Sequence, residues 1–181
     1  MKEHFLALNE EWKLYLDSLT EQVQADIRNI LLTDQIVKYQ FGKSRQNIVA
    51  FYFEYQYDSM NIMLWAQDKN GDEVADPIEI PTTNNTDKNS SWKSLVPENI
   101  LKRVYEMDNT YEGDDYDEIR REYENIKTEL FERWFLNCWN TATKEIENIP
   151  DAYFSIHDTY FLTDLKTGKE INSDQIAERY K

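Results

Sequence analysis

DDYDEIRREYENIKTELFERWFLNCWNTATKEIENIP, residues 114–150, decides the fold. Between Tyr116 and Ile149 it holds no proline or glycine, and Glu122, Glu124, Lys127, Glu129, Leu130, Glu132 and Arg133 are strong helix formers. Ile119, Tyr123, Ile126, Leu130, Trp134, Cys138, Ala142 and Ile146 recur at spacings of three and four, along one side of a helix. Asp114, Asp115, Asp117 and Glu118 stand at its start, where the helix dipole favours anions, and Pro150 is the expected stop. About 30 residues at roughly 1.5 Å each make a rod of about 50 Å, long enough to expect a kink or break. Phe131, Trp134, Phe135, Leu136, Cys138 and Trp139 widen the stripe past half the circumference, which predicts burial on more than one side.

The rest of the chain supplies what buries it. Residues 3–32 repeat the helical spacing through Phe5, Leu8, Trp12, Leu16 and Leu19. Ser18-Leu19-Thr20-Glu21 fits a capping box, which predicts a break into two helices near Asp17–Ser18. Ile48–Tyr57 then changes to period two, with Phe51, Phe53 and Tyr55 on one face. Met60–Gln67 follows as a second strand, with Met60, Ile62, Leu64 and Ala66 on one face. Asn70-Gly71 marks a hairpin, and Pro77 places Glu73–Ile80 at a sheet edge. Gln35–Phe41 is a further candidate strand. Pro81–Ser94 reads as a polar loop with two glycosylation sequons, Asn84-Asn85-Thr86 and Asn89-Ser90-Ser91, taken as chance without a secretion signal, and Trp92 as an anchor. Pro97 opens a short helix to about Met107, and Asp108–Asp117 is an acidic loop. Strand signal returns at Tyr153–His157 and Tyr160–Leu162, Asp164–Lys169 reads as a turn, and Ser173–Tyr180 as a last helix capped by Ser173. The expected fold is a single α+β domain over residues 1–181, an antiparallel meander packed on one long central helix and N-terminal helices.

Charge narrows the function. With 20 Lys and Arg against 35 Asp and Glu, the net charge is −15. That disfavours nucleic acid and anionic membranes, both of which call for a basic surface, and favours a basic protein partner. The 14% aromatic content excludes wholesale disorder. One cysteine excludes an internal disulfide. No segment reads as a signal peptide or membrane span, and a cytoplasmic location is expected.

Catalytic patterns are thin. His157-Asp158 is the most catalytic-looking pair, able to bond each other only at a turn, since neighbours in a strand face opposite ways. Cys138 within a helix lacks the surroundings that activate a thiol. Asp68, Asn70, Asp72 and Glu79 echo a calcium loop, but Glu73 stands where its glycine belongs, so a hairpin turn is expected. No phosphate-loop, dinucleotide, serine-hydrolase or zinc-protease pattern occurs, and no cofactor or metal is predicted.

Phe131–Trp139, Ala152–Asp158 and Asp164–Gly168 together resemble small acidic bacterial proteins of unknown function, some similar to the immunity proteins of polymorphic-toxin systems. The resemblance covers the last third of the chain and implies binding and blocking of a cognate toxin, with no catalytic residues. The expected reading is a non-enzymatic acidic binding protein docking through Asp114, Asp115, Asp117 and Glu118. The alternative is a small-molecule-binding protein or hydrolase with a pocket lined by Trp134, Trp139 and Tyr153, with His157 and Asp158 nearby.

Overall fold

The computed structural model describes residues 1–82 and 94–181. Their elements run α1 (Lys2–Leu32), β1 (Ala50–Tyr55), β2 (Ile62–Gln67), β3 (Ile78–Ile80), α2 (Glu98–Asp108), α3 (Asp114–Thr143), β4 (Asp151–Ile156), β5 (Phe161–Asp164), β6 (Lys169–Asn172) and α4 (Ser173–Arg179). The fold is α+β: a six-stranded sheet, ordered β3-β2-β1-β4-β5-β6, carries the helices. The sequons and Trp92 lie outside the described residues.

The meander expected over 48–80 is present, with β1–β2 and β2–β3 antiparallel. A second antiparallel run, β4-β5-β6, extends it. The two join through β1 and β4, which pair in parallel, Phe53 beside Phe154. A parallel pair needs a long crossover. Here β2, β3, α2 and α3 provide it, and the 30-residue α3 returns the chain to the end of the sheet where β1 began. Gln35–Phe41 contributes one isolated bridge, Tyr39 to Ala75, and no strand.

The helix α3 is unbroken and ends at Thr143, before Pro150 is reached. Thr143 turns its hydroxyl back onto the Trp139 carbonyl (2.8 Å), and Asn148 adopts a left-handed conformation (φ 56°). The helix α1 is also unbroken, because Ser18 bonds the Tyr15 carbonyl (2.6 Å) rather than capping a new helix. Contacts advance together along both helices, Asn9 to Tyr123, Trp12 to Lys127 and Thr20 to Trp134, so α1 and α3 run parallel.

Between these helices and the sheet lies a core of aromatic rings. Phe135 stacks on Phe154 with centroids 4.3 Å apart, Trp139 meets Phe53 edge-on at 5.5 Å, and Phe131 bridges Trp12 and Tyr55. Offset and edge-on pairs add to the area they bury. On the opposite face, α4 covers Tyr153, Leu162 and Ile171 with Ile176. Its cap is Asn172, one residue before the expected Ser173, in a reciprocal pair with Gln175.

Candidate functional site

The acidic segment opens onto a groove. Gly113, at φ 102°, turns the chain into α3. Past it, the β1–β2 turn brings Tyr57 and Asp58 against the end of α2 and the start of α3. The depression between them, about 660 Å³, is walled by Tyr57, Tyr111 and Tyr116 and by Asp58, Asp108, Glu112 and Asp117. Tyr57 and Tyr111 are each 41% exposed, so their rings are open to a partner.

Charges on the groove floor are tied in place. Tyr116 donates its hydroxyl to Asp108, and Arg120 bonds both Asp108 (Nε–Oδ1, 3.0 Å) and Glu124. Burial and that hydrogen bond hold the Tyr116 phenol protonated, well above its ordinary range. Burial pulls the Arg120 pKa down, but Glu124 and Asp108 outweigh it, and the guanidinium stays charged. Beneath, Lys127 is 4% exposed, ion-paired with Glu124, its ammonium 5.7 Å from the Tyr57 ring centre. Arg120 and Lys127 are thereby paired internally, which leaves Asp58, Glu112 and Asp117 to set the local field against one exposed cation of the lining, Arg121.

Asp117 lines the groove, while Asp114, Asp115 and Glu118 stand exposed on the first turns of α3 beside it. Trp134 is buried in the core, its indole nitrogen donating to Thr20 Oγ1 at 3.0 Å. Trp139 is buried too, but one edge walls a cleft of about 340 Å³ between the end of α3 and Leu165-Lys166. His157 and Asp158 follow the other end of β4, about 16 Å along the strand from Ala152 in that cleft. The structure therefore does not gather Trp134, Trp139 and His157 around one cavity.

His157 is at a turn, and its neighbours explain why. Asp158 is left-handed (φ 60°), which lets its carboxylate approach His157 Nε2 (3.3 Å) while Nδ1 meets Glu54 (2.9 Å). The Glu54 hydrogen bond raises the imidazole pKa. Cys138 is fully buried, and burial pushes its thiol up to about 12. Asp68 accepts from the amides of Asn70 (2.9 Å) and Asp72 (3.1 Å), which makes 68–72 a hairpin turn. Among the described residues, no group of three or more His, Cys, Asp or Glu is placed to hold a metal ion, and no helix is long and apolar enough to cross a membrane.

The sequence marks the acidic loop but not Tyr57, whose spacing continues the face of Phe51, Phe53 and Tyr55 beyond the end of β1, nor buried Lys127, a charge inside an apolar stripe. Comparison of the chain with protein-family models, with curated proteins and with solved structures finds no match in any of the three.

Proposed function

We propose that this is a non-enzymatic acidic binding protein that docks a basic protein partner in the groove between Tyr57 and the start of α3. The groove itself carries the reading: exposed tyrosine rings stand among Asp58, Asp108, Glu112 and Asp117. Lysine and arginine side chains find carboxylates at the rim and ring faces within it, and rings attract cations that they desolvate. A net charge of −15 adds long-range steering toward such a partner. With the resemblance of the last third of the chain, the proposal narrows to a bacterial, cytoplasmic immunity protein that masks a basic toxin domain.

The test is capture from host lysate at low salt, purification of the basic protein eluted by a salt gradient, and titration of that protein. A 1:1 complex is expected. Reversal of Asp114, Asp115 and Asp117 to Lys weakens it by at least about tenfold and flattens its salt dependence. Unchanged affinity and salt slope in the reversed variant overturn the docking site.

The cleft walled by Trp139 supports a second reading, a small-molecule-binding protein. A metabolite that raises the melting temperature in proportion to the logarithm of its concentration, and loses that effect in Thr143→Trp, would favour it.

A further inference from the structure

A different groove lies on the far face of the sheet. The helix α4 covers that face over β4, β5 and β6, and its cover stops at β1, leaving a trough of about 440 Å³ along the strand. It shares no lining residue with the acidic groove. Tyr52, backed by Tyr153 at 5.1 Å, forms the floor, and Leu162 and Ile176 form an apolar wall. Opposite that wall stand the side-chain amides of Gln67 and Asn70. Each amide offers both a donor and an acceptor, which is what a peptide unit requires of a partner.

The ends of the trough carry opposite charges. At one end is Glu54, with one oxygen held by His157 and its side chain still 26% exposed. At the other is Lys69, exposed and without an ion-pair partner among the described residues, while the neighbouring carboxylate of Asp68 is paired with Lys43 at 3.1 Å. Gln67 lies opposite Ala50, so Lys69 falls beyond the start of β1 while Glu54 is four residues along it. At about 3.3 Å per residue the two charges stand roughly 15–20 Å apart, the span of about five extended residues.

We propose that this trough binds an extended peptide segment of about five residues, basic where it meets Glu54 and acidic where it meets Lys69. The backbone of β1 is already paired with β2 and β4, so the segment is held by the ring floor, the side-chain amides and the charged ends rather than by strand addition.

The experiment is an amide-resolved NMR titration with acetyl-Arg-Ala-Val-Ala-Glu-amide and with acetyl-Arg-Ala-Val-Ala-Arg-amide. The wild-type chain is expected to show saturable shifts at Tyr52, Gln67 and Ala177 below about 1 mM, with the first peptide tighter. Ala177→Trp, an exposed site on α4, fills the trough and abolishes the shifts while the remaining spectrum stays folded. Lys69→Glu, on the exposed turn, reverses the preference between the peptides by about threefold or more. Absence of saturable shifts at these amides overturns the proposal, as do shifts that persist in Ala177→Trp or a preference unmoved by Lys69→Glu.

Discussion

Lys127 and Glu124, one helical turn apart on α3, form an ion pair in which the lysine is 4% exposed. Removing one partner of such a pair strands the other charge in a poor solvent unless a second partner remains, whereas removing both charges together is close to neutral. Glu124→Gln strands buried Lys127 and is expected to destabilise the fold by about 3 kcal/mol, whereas Lys127→Met leaves Glu124 paired with Arg120 and is expected to cost less than about 1 kcal/mol. Urea unfolding measures both; equal costs would show that the charge itself is not what matters there.

His157 links stability to pH. Its folded pKa is raised by Glu54 above the unfolded value, so the protonated form is the one that folding favours. The contribution is fully present below the unfolded pKa of about 6.5 and is lost as pH rises through the folded value. The gap in urea midpoint between wild type and His157→Gln is therefore expected to be larger at pH 5.5 than at pH 8.5. A gap that grows with pH would mean that the imidazole is held neutral.

Cys138 is expected to be inert. Burial holds its thiol up to about 12 and leaves it no solvent contact, and only the thiolate reacts. Under native conditions a thiol reagent should label it no faster than the chain unfolds, and urea should release the reaction. Prompt labelling of the folded chain at pH 7.5 would overturn this.

Arg45 closes the end of α1. Its guanidinium donates to the carbonyls of Ile30 (2.9 Å), Leu31 (2.7 Å) and Thr33 and pairs with Asp34. The last carbonyls of a helix have no partner within it, and the planar fork serves several at once. Arg45→Ala is expected to cost about 2 kcal/mol, and Arg45→Lys to recover less than half. Full recovery by lysine in thermal unfolding would reduce the contact to simple charge.

The sequence by itself determined helix over the spans of α1 and α3, though not that each is unbroken, the β1–β2–β3 meander and the core faces of α1, β1 and β2. Those features follow from local periodicity: Phe51, Phe53 and Tyr55 alternate, Trp12 and Leu16 recur at helical spacing, and hydrophobic burial then selects the matching face. The acidic character of Asp114, Asp115, Asp117 and Glu118 was equally plain, because exposed charge needs no partner to be recognised. Only the tertiary structure decided that β4 pairs in parallel with β1, since the β1–β4 hydrogen bonds join residues about 100 positions apart and leave no local trace. It also decided that Trp134 points into the core, that Trp139 shows one edge to a cleft, and that His157 lies past the other end of β4 from that cleft. A helical stripe says which residues are apolar; what each of them meets is set by the crossing of α1, α3 and the sheet.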